Sequence, residues 1–299
     1  MYINGKWVQR TNVDGIEVRN PSNGEKIAVI PRGTKDDVDS AVKAADAAFR
    51  GENWRNIKAF ERGEILFDIA DQIKAHRDEL AELEAVDVGK PLSQAYADVD
   101  AAIRYFRFYG GAADKVMGHT IPIEDGLLDY VVREPVGVTA HIIPWNYPLQ
   151  IISRSVAAAL ATGNTVVVKS AEDTPMTAMR LTTFIDELRL PAGVFNHVTG
   201  YGHEAGAALA SHPLINHVTF TGSVATGISV GQAAMGNVVP STLELGGKSP
   251  TIVFADCDID RTVEGVVRSI VQNAGQTCSA GARLLVEESL KETFLAKIM

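Results

Sequence analysis

Apolar positions change their period along the chain. Near the start, YINGKWV, IEVRNP and KIAVIPRG are short β-rich stretches cut by Asn, Gly and Pro, which predicts a small β unit. Thr34 and Asp37 then form a capping-box pair, and Val38, Ala41, Val42, Ala45 and Phe49 recur at helical spacing. Two further stripes follow, Ile65, Leu66, Ile69 and Ile73, then Leu80, Leu83 and Val86, ending near Gly89-Lys90-Pro91. A third helix passes through Val99, Ile103 and Phe106 to Gly110-Gly111. Residues 119–139 read as a protruding β-hairpin that turns near Glu124-Asp125-Gly126.

From Val136 onward, strands and helices alternate. VGVTAHIIP, TVVVKS, VFNHVTG, HVTFTG and STLELGG are strands, and helices are expected over 149–160, 177–188, 204–210 and 228–235. That rhythm predicts an α/β fold with a doubly wound parallel sheet, whose ligands sit at the carboxyl ends of the strands. The chemistry is therefore sought at IIPWNYP, KSAED, TGYG, FTGSVATG and LELGG. A new strand, SPTIVF, starts at Ser249, and a helix over 262–270, the strand RLLVEE and a helix near Leu290 follow. Leu290, Phe294, Leu295 and Ile298 form an apolar face that nothing later in the sequence covers, so the chain reads as the N-terminal part of a longer protein.

Composition narrows the function. Apolar residues make up 46% and charged residues 22%, with a net charge of -9 and no long run of like charges. An acidic, mixed surface argues against a nucleic-acid partner. No apolar run reaches the roughly 18 residues of a membrane span, and MYINGKWVQR lacks a signal-peptide core. The two cysteines, Cys257 and Cys278, suit a reducing compartment, so a cytoplasmic protein is expected. The seven His are scattered without metal-ligand spacing, so no metal is expected.

Cys278 is the sharpest candidate. Its neighbours Thr277 and Ser279, with Gly275 and Gly281 beyond, leave room for a substrate at the sulfur. A nucleophilic thiol needs thiolate character, which backbone N–H groups can supply. Cys257 stands beside three acids in FADCDID, which disfavours a thiolate. Glu244 lies between Leu243 and Leu245 at a strand end, where apolar surroundings would raise its pKa and make it a general base. Asn146, held between Pro144 and Pro148, can donate to an oxyanion. Gly222 and Gly227 bracket a strand-to-helix turn suited to a diphosphate, although the spacing is neither G-x-G-x-x-G nor a P-loop. Lys169 and Glu172 can hold the hydroxyls of a ribose, which favours NAD over NADP. Taken singly, each of these also has a plain structural reading: a capping Glu, a turn Asn, a glycine turn, a solvated charged loop.

Together, and in this order, PWNYP, VVVKSAEDTP, FTGSVATG, LELGGKSP and GQTCSAGARLLV resemble the aldehyde dehydrogenase superfamily, with weaker agreement at NGKWV, NPSNGEKIA and VGKP. The resemblance implies a Rossmann-like NAD-binding domain over 1–117 and 138–246, an oligomerising β-hairpin over 118–137, and the start of a second α/β catalytic domain over 247–299. It implies Cys278 as nucleophile, Glu244 as base and Asn146 as oxyanion donor. Cofactor contacts are implied at Ile142, Ile143, Pro144, Trp145, Lys169, Ser170, Glu172, Gly202, Gly206, Phe220, Gly222, Ser223, Gly227, Leu245 and Gly246. Substrate contacts are implied at Tyr147, Ile151, Arg154, Thr277 and Ser279. The expected activity is NAD-dependent oxidation of a small aldehyde to an acid by a homodimer or homotetramer. A CoA-acylating enzyme and an inactive truncated NAD-binding module are the alternatives. Relatives continue well past Met299, and many carry Trp-Lys where this chain has Arg154-Ser155. Arg154, on one helical face with Tyr147 and Ile151, would favour an aldehyde with a carboxylate tail.

Overall fold

The computed structural model describes residues 1–9, 15–188 and 190–299. Three hairpins come first in the chain: β1 (Tyr2–Ile3) with β2 (Lys6–Trp7), β3 (Ile16–Arg19) with β4 (Lys26–Ile30), and β5 (His119–Ile121) with β6 (Asp129–Val131). Five mutually parallel strands follow: β7 (Val138–Ile142), β8 (Thr165–Lys169), β9 (Phe195–Val198), β10 (His217–Gly222) and β11 (Ser241–Leu245). A separate parallel pair, β12 (Pro250–Val253) and β13 (Arg283–Val286), ends the strand list.

The main sheet has the order β11-β10-β7-β8-β9-β1-β2. The chain steps from β7 through β8 to β9, then crosses back to lay β10 on the far side of β7. The fold is thus a mixed α/β architecture around a mainly parallel, doubly wound sheet, with its switch point between β7 and β10. Every residue of β7, β8 and β9 is buried, as expected when helices cover both faces. Val167 packs with Val38, Ala41 and Val42 of the helix Lys35–Arg50. Val166 and Val168 point the other way, onto Leu66, Ile69, Val99, Phe106 and Leu149 of the helices Ala59–Ala75, Leu92–Ala112 and Pro148–Ala161. The Thr34 capping box forms: its hydroxyl accepts from Asp37 N while the Asp37 carboxylate accepts from Thr34 N.

Several expectations are corrected. The N-terminal stretches do not make one β unit. β1 joins the main sheet antiparallel to β9, tied by Tyr2 Oη and Trp7 Nε1, which both donate to Asp186. β3 and β4 pair apart from it over their own core of Ile16, Val18 and Ile30. The helix after β10 is Val224–Met235, a turn longer than expected, because the Ser223 hydroxyl caps it by accepting from Thr226 N. Gly227 therefore lies inside the first turn of that helix rather than closing a loop. The last helix, Lys291–Ile298, is not left bare: Phe294 is fully buried and packs with Leu290, Val253 and Val266 in a small second core. Only Leu295 of its apolar face is exposed. On the helix Arg77–Val88 the buried positions include Glu84 and Asp87, whereas Val86 is exposed and Leu83 only half-buried.

Candidate active site

The ends of β7 and β10 diverge at the switch point, which opens a crevice of about 730 Å³. Ile142, Ile143, Pro144 and Trp145 form one wall as β7 runs out. Phe220, Gly222 and Ser223 form the opposite wall, and Lys169, Glu172, Gly202 and Gly206 close one end. Lys169 Nζ lies 2.5 Å from Glu172 Oε2, and Glu172 Oε1 accepts the Gly202 N–H at 3.1 Å. Partial burial pushes the Glu172 carboxyl up, but the Lys169 charge and these hydrogen bonds outweigh it and hold the group below its ordinary value. Next to it, burial and the Glu172 charge raise Asp173.

The remaining cofactor candidates lie off the crevice wall. Ser170 is buried, with its hydroxyl on His197 Nε2 at 2.9 Å. Gly227 lies under Leu245: a Cβ there would come within 2.4 Å of Leu245 Cδ2. Its missing side chain thus lets the helix Val224–Met235 sit close on β11. Leu245 is half-buried, and Gly246 is exposed with open space around it.

Beyond Trp145 the chain turns into the helix Pro148–Ala161, and there it meets the cysteine loop. Asn146 Nδ2 donates to the Gln276 carbonyl at 2.8 Å, and Tyr147 Oη lies 2.8 Å from Thr277 Oγ1. The loop bends through three consecutive left-handed residues, Asn273, Ala274 and Gly275, which turn the chain out of the helix Ile259–Val271. Cys278 and Ser279 follow, both exposed. Gly247, two residues after β11, sits against the same loop, its Cβ position 3.2 Å from the Cys278 carbonyl oxygen. Glu244 reaches this end of β11 with Leu243 and Leu245 turned to the other face. It is exposed and has no hydrogen bond or ion pair among the described residues, so the apolar surroundings expected from its sequence neighbours are absent. Cys257 instead packs half-buried in the second core. Ile151 is buried, whereas Arg154 is half-buried and carries no hydrogen bond or ion pair among the described residues.

The sequence profile of the aldehyde dehydrogenase family matches residues 7–299. The chain belongs to the aldehyde dehydrogenase family. It is 44% identical to the hydroxyisobutyraldehyde dehydrogenase of Mycolicibacterium austroafricanum over 100% of its own length and 59% of that protein. It is also 44% identical to retinaldehyde dehydrogenase 3 of Mus musculus, covering 99% of this chain and 59% of that one. An aldehyde dehydrogenase from Bacillus cereus, solved as an NAD⁺ complex, superposes with a TM-score of 0.97 at 41% identity, over 100% of this chain and 61% of that structure. The chain thus spans about three-fifths of the length of the relatives it matches.

Within this aldehyde dehydrogenase chain, sequence reasoning passed over a buried charge cluster behind the crevice. Lys90, Glu84 and Asp98 are all closed to solvent, and Lys90 reaches the Asn146 main chain. The signal was present as acids at 84 and 87 on the inner face of a helix, followed by a lysine two residues past that helix. Asn273 was passed over as well, although its side chain bonds both Asn146 and Gln276. No helix of the described residues is long and apolar enough to cross a membrane.

Proposed function

We propose that this chain carries the nucleotide seat and the thiol chemistry of an NAD-dependent aldehyde dehydrogenase that oxidises a small aldehyde to its acid. The reading rests above all on one pair of contacts: the Asn146 amide and the Tyr147 hydroxyl meet residues 276 and 277, which holds the Cys278 loop against the segment that directly follows Trp145 of the crevice wall. The residues there fit NAD. Glu172 and Lys169 offer a carboxylate and an ammonium to ribose hydroxyls, and Ser223 and Gly222 stand at the N-terminus of a twelve-residue helix, where backbone N–H groups favour a diphosphate. The Glu172 charge disfavours a 2′-phosphate, hence NAD over NADP. When bound, NAD supplies the hydride acceptor.

The chain's own residues do the rest. The Cys278 thiolate adds to the aldehyde carbon. Asn146 spends one amide hydrogen on Gln276 and offers the other to the carbonyl oxygen as charge develops there. Hydride loss leaves a thioester on Cys278. Glu244, unpartnered and exposed at the end of β11, takes a proton from a water that attacks that thioester and releases the acid. This free carboxylate favours hydrolysis over acyl transfer to CoA. The substrate side is assigned to Tyr147, Ile151, Arg154, Thr277 and Ser279. On the same reading, residues 1–117 and 138–246 form the nucleotide domain, 247–299 begin the catalytic domain, and the exposed hairpin over 118–137 joins subunits in a homodimer or homotetramer. Free cysteines are consistent with a cytoplasmic protein.

The test uses the full-length protein that carries this chain. Cys278→Ser is expected to abolish NADH formation while NAD binding persists. Glu244→Gln is expected to give a burst of about one NADH per site, then little steady rate. Retained turnover in the first variant, or its loss in Cys257→Ser instead, overturns the reading.

A further inference from the structure

Lys90 follows the helix Arg77–Val88 across Gly89, whose left-handed conformation (φ 75°) turns the chain back on the helix. Its ammonium is closed to solvent and has three protons to donate. Three acceptors surround it: Glu84 Oε1 at 3.1 Å, Asp98 Oδ2 at 2.6 Å and the Asn146 carbonyl at 3.0 Å. The ring of Tyr147 lies 4.5 Å away. The far oxygens of the two acids are also used, Glu84 Oε2 by the Thr177 hydroxyl and Asp98 Oδ1 by Gln94 Nε2. Every member of the cluster is therefore satisfied.

Stability alone is a poor reason for such a cluster. Desolvating a buried ion pair costs as much as its attraction returns, and apolar replacements are often neutral or better. What the cluster does supply is direction. Its one bond outside the carboxylates goes to the main chain of the residue whose amide faces the cysteine loop. Asn273 Nδ2 donates to the same Asn146 carbonyl from that loop, at 3.0 Å, and to the Gln276 carbonyl at 3.1 Å. The peptide between Asn146 and Tyr147 is thus gripped on both sides, while Tyr147 carries unusual torsions for a residue entering a helix (φ -139°, ψ 57°).

We propose that Lys90 is a positioning residue: by holding the Asn146 carbonyl from the buried side, it aims the Asn146 amide at the carbonyl oxygen bound over Cys278. This rests on the reading of Asn146 as oxyanion donor. A shift of about 1 Å in such a group can cost on the order of a hundredfold in rate. Glu84→Gln/Asp98→Asn removes the two buried negative charges and leaves the Lys90 amine able to donate. Adding Lys90→Met in that background removes the donor without stranding a charge.

The experiment, on the full-length protein, compares four readouts: the first-turnover rate of NADH formation, the KM for the aldehyde, the Kd of NAD, and alkylation of Cys278 by iodoacetamide. Alkylation develops no oxyanion. Expected is a fall of about 10- to 100-fold in the first-turnover rate on adding Lys90→Met, with the other three within about threefold. In an Asn146→Ala background the same substitution should cost nothing further. Asn273→Ala, which removes the opposing donor and leaves the ion cluster intact, should slow the same step by about tenfold. An unchanged first turnover in either the Lys90 or the Asn273 variant overturns the proposal. So does a parallel fall of all four readouts, or a loss that adds to that of Asn146→Ala. If Asn146→Ala itself leaves the first turnover intact, the oxyanion reading fails and this proposal goes with it. If Asn146→Ala slows it and Lys90→Met does not, the proposal fails alone.

Discussion

Replacing Asp87 by Asn should remove a pH dependence of stability that the fold builds in. Asp87 faces inward with Oδ2 accepting the Met176 N–H at 2.8 Å and Oδ1 without a partner. Burial raises its pKa to about 8 against the pull of that N–H, and the Glu84 charge adds to the rise. An unfolded Asp titrates at about 3.9. The folded chain therefore keeps a proton that the unfolded chain releases, so the contribution of Asp87 to stability is full below about pH 4 and is lost as pH rises to about 8. From pH 5 to pH 8, three units at about 1.36 kcal/mol each set a ceiling of about 4 kcal/mol. Burial pushes Glu84 and Asp98 up as well, which weakens the Glu84 charge that helps raise Asp87, so we expect about 2–4 kcal/mol. Asn keeps the acceptor for Met176 and cannot ionise. Thermal midpoints of wild type and Asp87→Asn at pH 5, 6.5 and 8 should diverge in favour of the variant, by about 4–10 °C at the highest pH. Midpoints that run parallel across the range, or a variant that loses ground as pH rises, would refute the argument.

Two further outcomes are expected. Glu172→Ser should narrow the preference for NAD over NADP by at most about 2 kcal/mol, read from dissociation constants by fluorescence titration, and a wild type that already prefers NADP refutes that reading. Phe294→Ala should cost about 3–5 kcal/mol, lost mainly from the second core: hydrogen exchange should accelerate over 250–298 and stay slow in β7–β9, and equal loss in both regions contradicts a separate core.

The parallel sheet was legible in the sequence because each strand from β7 to β11 is a short apolar run closed by a turn signal, and strand ends mark sites in such folds. The crevice walls were legible for the same reason, from Ile142 to Trp145 and at Gly222 and Ser223. What escaped was tertiary. Nothing local shows that β1 will pair with β9, nearly two hundred residues on. Glu84 looks like a solvent-facing acid until Lys90 is placed against it, because a charge is buried only when its partner arrives, and Asp87 looks the same until the Met176 N–H, nearly ninety residues on, meets it. The Ser223 cap was readable in principle, since Ser before a helical run is a start signal, but the glycines on either side suggested a longer loop. Glu244 shows the reverse error: apolar neighbours along a strand say little about surroundings, because alternate side chains face opposite ways.

The switch point also sets a timetable for synthesis. β7 can pair with β8 as soon as both have left the ribosome, but its other edge waits for β10, with pairing partners 78 positions later. At about 5–20 residues per second, that edge stays open for roughly 4–16 s. Its five residues are all buried in the finished sheet, so during that interval a nascent chain presents an apolar, unpaired strand to its neighbours. Slow codons between 143 and 216 would lengthen the exposure. Aggregation in the cell would then be governed by elongation rate and chaperone capture rather than by the stability of the folded protein.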